Sequence, residues 1–474
     1  MSETTYDVIV IGAGAVGENV ADRAVQGGMK TVIVEAELVG GECSYWACMP
    51  SKALLRAGAV LRAARDVDGA AQAVTGEVDI AGVLRRRDKT THDWNDDSQV
   101  KWLEGAGIDL VRGHARITGR NTVRVTAGDG STTDLVARHA VAACTGSAAL
   151  LPDIPGLRDI APWTSREATS AESIPGSLAI IGGGVVAAEM ATAYAGFGTK
   201  VTLLLRSGLL QNMEPFAGEL VTASLEKLGV DIRDGVEVTS ARRDGGTASL
   251  QLSDGTTVEA EEVLVAIGRT PVTGDLGLDS VGLTPGEWFD VDDTMLVKGT
   301  DWLYAVGDAN HRALLTHQGK YQARAAGDVI AARANGAEVD DAPWGVHVAT
   351  ADHDAVPQVT FTDPEVASVG VTEKTARAAG RRIRVLDYDL SWVAGSSSVA
   401  DHYVGQARAI VDEDRGVLIG ATFVGPDVAE LLHSATIAIV GEVPLERLWH
   451  AVPSYPTVSE VWLRWLEEYG RPTA

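Results

Sequence analysis

The chain has 474 residues and a formal charge of −25, from 40 Lys and Arg against 65 Asp and Glu, which argues against nucleic acid or an anionic membrane as a partner. With 45% hydrophobic and 22% charged residues it reads as an ordinary soluble globular protein, long enough for roughly three domains. Three cysteines are too few for a disulfide-stapled secreted scaffold, no signal peptide is visible, and the most apolar region, 177–205, is broken by Gly182-Gly183-Gly184 and Glu189, so no membrane span and a cytoplasmic location are expected.

Residues 6–11 (YDVIVI) read as a buried-strand run. Gly12-Ala-Gly14-Ala-Val-Gly17 follows, then a helix pattern to 26 and a second strand over 30–34 that ends at Glu35. This is a dinucleotide-binding fingerprint in its required context. Gly12, Gly14 and Gly17 permit a tight turn and close approach of a pyrophosphate to a helix N-terminus, and Glu35 can accept hydrogen bonds from ribose hydroxyls. Next comes Gly40-Gly-Glu-Cys43-Ser-Tyr-Trp-Ala-Cys48-Met-Pro-Ser-Lys52, which holds two of the three cysteines. Cysteines at i and i+5 of an ideal helix point apart, so a redox pair here demands irregular backbone, with the regular helix starting near Pro50. A helix N-terminus and Lys52 would both favour thiolates. A C-x4-C half-site for a metal and two unrelated buried cysteines are the competing readings; with no second cysteine pair and no clustered histidines nearby, no metal is expected.

Residues 51–66 read as helix and 69–97 as a helical excursion, with Arg85-Arg86-Arg87 as a solvated face. A small antiparallel meander is expected over 108–141, ending in a strand that runs into a tight turn at Cys144-Thr145-Gly146-Ser147, where Cys144 is a small buried residue. Then the opening pattern recurs: a strand over 178–181, Gly182-Gly-Gly184-Val-Val-Ala187, a helix to 197 and a strand over 200–205. Two fingerprints predict one dinucleotide that stays and one that visits. The second strand ends at Arg206 instead of an acid. Arg pairs with a 2′-phosphate that an acid would repel, so NADPH is expected ahead of NADH. A strand over 258–267 leads to Gly268-Arg269-Thr270-Pro271, and a short strand over 303–306 to Gly307-Asp308, an acid placed to bond polyol hydroxyls ahead of a helix over 319–334. From about 344 the texture becomes α+β, with strands near 383–388, 405–411 and 418–424 and helices over 427–440 and 457–469.

In this order and over essentially the whole length, these motifs resemble the class I flavoprotein disulfide reductases, the group of lipoamide dehydrogenase, glutathione reductase and mercuric reductase. The resemblance is carried by Gly12–Gly17 with Glu35, the Gly40–Lys52 segment, Thr145-Gly146, Gly182–Ala187, Gly268–Pro271, Gly307-Asp308, Phe361-Thr-Asp-Pro-Glu-Val and Tyr455-Pro-Thr-Val-Ser-Glu460. It implies an α/β fold of two Rossmann-like dinucleotide-binding domains, for FAD and NAD(P), plus a C-terminal α+β dimerisation domain. The implied division is an FAD domain split over 1–155 and 274–343, an NAD(P) domain over 156–273 and an interface domain over 344–474 of a homodimer. Cys48 would be the flavin-facing thiol and Cys43 the thiol that meets substrate. Lys52 would lie at the reactive edge of the flavin, paired with Glu189, and Asp308 would hold the ribityl chain. Thr145, Gly146, Gly268 and Arg269 fall at cofactor-binding turns of the family.

The chain departs from that pattern at Tyr455, where disulfide-reducing members usually carry His before Pro-Thr and the later Glu, here Glu460. Neutral His takes and returns a proton near pH 7; Tyr, with an ordinary pKa near ~10, is a poor base. Glu460 is expected to accept the Tyr455 hydroxyl, and His450 to be a helix-end residue. Tyr45 and Trp46, between the cysteines, would either narrow access to Cys43 or simply pack. No cysteine pair is expected at the tail 471–474 and no metal-binding domain before Tyr6, both of which would be unlike a standard mercuric reductase. The expected function is an FAD-dependent oxidoreductase passing electrons from NADPH through the Cys43–Cys48 pair to a small disulfide. The alternatives are direct reduction of a quinone, metal ion or second nucleotide by flavin, and a non-catalytic FAD-binding redox sensor.

Overall fold

A computed structural model describes residues 4–471, so residues 472–474 of the tail lie outside the described residues. The chain forms two compact units: residues up to Pro50 with Asp88–Ala149 and Arg269–His353, and Ser51–Arg87 with Leu150–Gly268 and the chain from Asp354 onward.

The first unit is built on a seven-stranded sheet ordered Asp109–Arg112, Thr31–Glu35, Thr4–Ile11, Thr132–Ala143, Thr122–Thr126, His114–Gly119, with Leu303–Ala305 also paired to Thr132–Ala143. Thr4–Ile11 lies between two parallel neighbours, with Val8 opposite Thr31 and Val10 opposite Ala142. Val8, Ile9, Val10, Val32 and Ile33 are fully buried, as a strand covered on both faces requires. The expected antiparallel meander over 108–141 forms from His114–Gly119, Thr122–Thr126 and Thr132–Ala143. It is not a separate sheet: Asp109–Arg112 joins the parallel edge beside Thr31–Glu35, and the twelve-residue last strand also pairs Thr4–Ile11. The helix Thr316–Ala334 starts three residues before its expected position. It lies directly against the helix Ala15–Gln26 because Gly319 and Gly327 carry no side chain. A Cβ on Gly319 would stand 2.6 Å from Val16, and one on Gly327 2.5 Å from Arg23.

In the second unit, a parallel sheet runs Asp231–Asp234, Lys200–Leu205, Ser177–Ile181, Glu262–Val265. Beside it in sequence is an antiparallel sheet, Val238–Asp244, Thr247–Leu252, Thr257–Ala260. The expected strand over 258–267 is therefore two strands. The chain breaks at Glu261, whose carboxylate accepts the Gly176 N–H while its own N–H bonds Ser177, and so passes from one sheet to the other. The C-terminal part holds a five-stranded antiparallel sheet, Pro357–Thr360, Glu365–Gly370, Val417–Gly425, Gln406–Asp412, Ile383–Asp389, followed by the helices Leu432–Val440 and Val461–Tyr469. Arg85 and Arg86 lie on the solvated face expected of them, whereas Arg87 is buried and donates to the carbonyls of Thr169 and Ala171. Among the described residues no helix is long and apolar enough to cross a membrane.

Candidate functional site

The first glycine loop is a cradle that side chains would fill. Gly12 has φ +98°, and a Cβ there would meet the Cys144 carbonyl oxygen at 2.4 Å; a Cβ on Gly17 would meet the Gly12 carbonyl at 1.9 Å. Gly14 caps the helix Ala15–Gln26 with no side chain over its N-terminus, leaving first-turn N–H groups for an anion. Glu35 accepts the Ala13 and Glu37 N–H groups. A carboxylate has about four acceptor positions, so room remains for ribose hydroxyls. The Thr145 hydroxyl is buried with no partner among the described residues, at the turn after Thr132–Ala143. Gly146 has φ +70°. Gly307, φ +75°, opens a short turn with Asp308, which accepts a hydrogen bond from Ser147. Arg269 donates to the Ser147 hydroxyl and carbonyl and lies 3.8 Å from Asp308. An orphaned hydroxyl, a side-chain-free cradle and the acids Glu35 and Asp308 in one unit fit an adenine dinucleotide.

The cysteine segment is seated on that loop. Gly40, φ +112°, donates its N–H to the Ala13 carbonyl at 2.7 Å, and a Cβ on Gly41 would stand 2.8 Å from the Gly14 Cα. A five-residue helix, Gly41–Tyr45, carries Cys43; the chain breaks at Trp46 and Ala47, and a new helix, Cys48–Arg65, begins at the second cysteine. The irregular backbone expected between the cysteines is this break, and the regular helix starts two residues ahead of Pro50. The break brings the Cys43 and Cys48 thiols into hydrogen bonding with each other. The Thr316 hydroxyl lies 3.4 Å from the Cys48 sulfur. The Cys43 thiol is pushed up by its bond to Cys48, then by burial and by the Cys48 charge, against the Thr316 hydroxyl and the Lys320 ammonium, which favour its thiolate. Cys48 stands at a helix start, where backbone dipoles favour negative charge. Among the described residues no cluster of His, Cys, Asp or Glu could hold a metal ion.

Tyr45 is fully buried, with its hydroxyl donating to the Val39 carbonyl and its own carbonyl taking the Trp94 indole N–H. It packs and does not face a substrate. Trp46, half-buried, tilts against it at 5.7 Å between ring centroids. Cys144 is buried, and that burial raises its thiol pKa, which suits an inert residue.

In the second unit, Gly182 has φ +128°, and a Cβ there would meet the Ala266 carbonyl at 2.2 Å; one on Gly183 would meet that of Gly208 at 2.6 Å. Gly184 caps the helix Val185–Gly196, on which Ala187 and Glu189 are buried. Arg206 is exposed just past the strand Lys200–Leu205, and Gly268, φ +137°, follows Glu262–Val265. Lys52 donates to both Glu189 oxygens, at 3.1 and 2.9 Å, and sits 4.9 Å over the Phe361 ring. Glu189 also accepts the Phe361 N–H, so both oxygens of the buried carboxylate are engaged.

Tyr455 is 76% exposed in a loop whose bond to Pro456 is cis. Glu460 is buried and pairs with Arg464, so the expected acceptance of the Tyr455 hydroxyl by Glu460 is not formed in this chain. His450 is exposed after the short helix Leu445–Leu448. The sequence reading gave no role to Thr316 or Ser147: Thr316 reaches Cys48 from 268 positions away, and Ser147, though inside the quoted turn, meets Asp308 and Arg269 only through packing.

The pyridine nucleotide-disulphide oxidoreductase family matches residues 6–328, and its dimerisation domain residues 356–465. The chain is 31% identical to a dihydrolipoyl dehydrogenase of Halobacterium salinarum, over 96% of this chain and 94% of the relative. It is 30% identical to a mercuric reductase of Staphylococcus aureus, over 96% of this chain and 81% of the relative. Among solved structures, the Cu(II) complex of the HOCl-induced flavoprotein disulfide reductase RclA from Escherichia coli has the same fold, with TM-score 0.84, 22% identity, and coverage of 99% of this chain and 100% of that one.

Proposed function

The chain belongs to the pyridine nucleotide-disulphide oxidoreductases, FAD-dependent enzymes of the flavoprotein disulfide reductase group, and on that premise we propose that it passes electrons from NADPH to a small disulfide through Cys43 and Cys48. The observation that carries this reading is the helix break that puts the two thiols in mutual hydrogen bonding beside the first glycine loop. Gly12, Gly14, Gly17, Glu35, Thr145, Gly146, Gly307 and Asp308 are assigned to FAD, with Arg269 bracing Asp308 through Ser147. Gly182, Gly184, Ala187, Arg206 and Gly268 are assigned to the nicotinamide nucleotide, in the domain division 1–155 with 274–343, 156–273 and 344–474. Lys52, held by Glu189, is assigned to the reactive edge of the flavin.

FAD supplies two-electron transfer between nicotinamide and disulfide when bound. Two electrons and one proton convert the internal disulfide to one thiol and one thiolate, and the Thr316 hydroxyl can donate to a thiolate at Cys48. Cys43 attacks the acceptor disulfide and forms a mixed disulfide; Cys48 displaces it, restores the internal bond and, with a second proton, releases two thiols. Anaerobic titration with NADPH tests the reading. Uptake of about two equivalents with a long-wavelength thiolate–flavin band is expected; uptake of a single equivalent removes the dithiol route. Cys43→Ser should abolish disulfide turnover.

A second reading, direct reduction of a quinone, a metal ion or another nucleotide by the flavin, draws on Tyr455, which offers a phenol where the disulfide-reducing members usually carry His. Quinone turnover retained in Cys43→Ser, without disulfide turnover in the parent protein, would favour it.

A further inference from the structure

The first unit ends in an acid that the electron route does not use. Asp352 is the next-to-last residue of that unit, and its side chain is 1% exposed. Gln318 and Gln322 stand four residues apart on the helix Thr316–Ala334 and so share one face. Their side-chain amides donate to the two Asp352 oxygens, at 2.7 and 2.9 Å. Arg312 Nη1, buried without a hydrogen bond among the described residues, lies 3.8 Å from the same carboxylate. Gln322 is fully buried and turns its other end to the turn that carries Asp308. Its Oε1 accepts the Gly307 N–H and the Asn310 Nδ2, each at 2.8 Å. A backbone N–H only donates, so the Gln322 oxygen must face Gly307, and the Gln322 nitrogen is left for Asp352. Asn310 Nδ2 also donates to the Ala305 carbonyl, and the Asn310 oxygen accepts the Arg312 N–H, which brings the network back to Arg312.

We propose that Asp352 is a positioning residue for the Gly307-Asp308 turn: its carboxylate fixes the Gln322 amide, and that amide holds the turn. The inference rests on assigning Gly307 and Asp308 to FAD. The groups that meet the carboxylate are two N–H donors and a guanidinium, which fit its ionised form. Burial pushes the carboxyl up from its ordinary value, and Gln318, Arg312, Gln322 and His353 oppose that rise. Gly307 is buried, so without Gln322 its N–H would lose its partner away from water, which is costly. The two glutamines also stand in the first two turns of the helix whose Thr316 hydroxyl lies 3.4 Å from the Cys48 sulfur. One carboxylate thus braces both the turn with Asp308 and the start of the helix that reaches Cys48.

The test is hydrogen exchange at the Gly307 amide, resolved by fragmentation mass spectrometry, together with the rate of FAD release on dilution, read from flavin fluorescence. Both are measured on FAD-loaded protein near neutral pH. Asp352→Leu should speed both about tenfold, as the loss of one buried hydrogen bond does. Asp352→Asn should stay within about twofold of the parent, because its amide oxygen still accepts from Gln322. Gln322→Met should speed both at least as much as Asp352→Leu, and the double variant should be no faster than Gln322→Met, because the acid acts through the amide. Gly307 exchange unchanged in Asp352→Leu overturns the proposal. So do additive effects in the double variant, which two independent packing losses would give. If Asp352→Leu does not fold, the other two variants decide: Gln322→Met exchanging Gly307 as slowly as the parent, or Asp352→Asn exchanging it as fast as Gln322→Met, overturns it. Gly307 exchange reads the network whatever the turn holds, whereas FAD release reads what the turn holds. Faster exchange with FAD release unchanged would therefore overturn the assignment of the turn to FAD and leave the network standing.

Discussion

Tyr455 concentrates the chemical question in one side chain. Exchange with an external disulfide must protonate a leaving thiolate, and Tyr455 puts an exposed phenol where disulfide-reducing members usually carry His. Tyr455→His is expected to raise disulfide turnover at pH 7 by roughly tenfold or more, read from kcat with a panel of small disulfides; unchanged turnover would assign proton transfer to another group. Arg206 poses a simpler test. Exposed at the strand end with no ion pair among the described residues, it is available to a 2′-phosphate. Arg206→Glu should shift the kcat/KM ratio from NADPH toward NADH by about tenfold or more, and no shift would free the strand end from cofactor choice. Glu18, on the helix Ala15–Gln26, bears on stability, because burial raises its carboxyl. Folded, its carboxyl keeps its proton to about 7 against an ordinary 4.5, so between those values the folded state binds more protons and stability falls as pH rises. The loss is at most about 3 kcal/mol. Glu18→Gln should therefore raise Tm at about pH 8 and change it little at about pH 5; thermal melts at the two pH values decide it.

Short elements hold the thiols where they are. The helix Gly41–Tyr45 is pressed on Gly14, with Gly41 at φ +61° and no space for a Cβ. Gly41→Ala should both strain the backbone and push Cys43 off the glycine loop, at a cost of about 1–3 kcal/mol, with slower closure of the Cys43–Cys48 disulfide in a thiol-quench assay. Normal closure would mean the contact is not needed to seat the pair. Gly395 plays a similar part in the second unit. A Cβ there would stand 2.1 Å from the Thr457 carbonyl carbon, so that glycine lets the turn before Ser396–Ser398 lie flat against the Tyr455–Thr457 loop. The break at Trp46 and Ala47 could be argued from the cysteine spacing, whereas the split of 258–267 is marked in the sequence only by the adjacent acids Glu261 and Glu262. It is held by Glu261 bonding Gly176 and Ser177 some 85 positions away.

Assembly belongs to the chain as a body. The dimerisation domain matched over 356–465 supports a homodimer, and this region exposes Ile437 on the helix Leu432–Val440 together with Val452 and Tyr455. Ile437→Arg should weaken the dimer, measured by sedimentation at several protein concentrations; an unaltered dimer would place the interface elsewhere.

The glycine spacings, the strand ends at Glu35 and Arg206 and the two cysteines were readable from the chain because each depends on short-range backbone geometry, where spacing along the sequence is also spacing in space. The family could be recognised for the same reason. The hydrogen bond between the thiols, the clasp of Ser147, Asp308 and Arg269, and the burial of Arg87 and Glu18 were not readable. Each joins residues from different elements, and its energy comes from burial and charge proximity created when distant segments pack. Tyr455 shows both sides. Its departure from His is visible in the sequence, but its separation from Glu460, which is drawn to Arg464, is a consequence of packing alone.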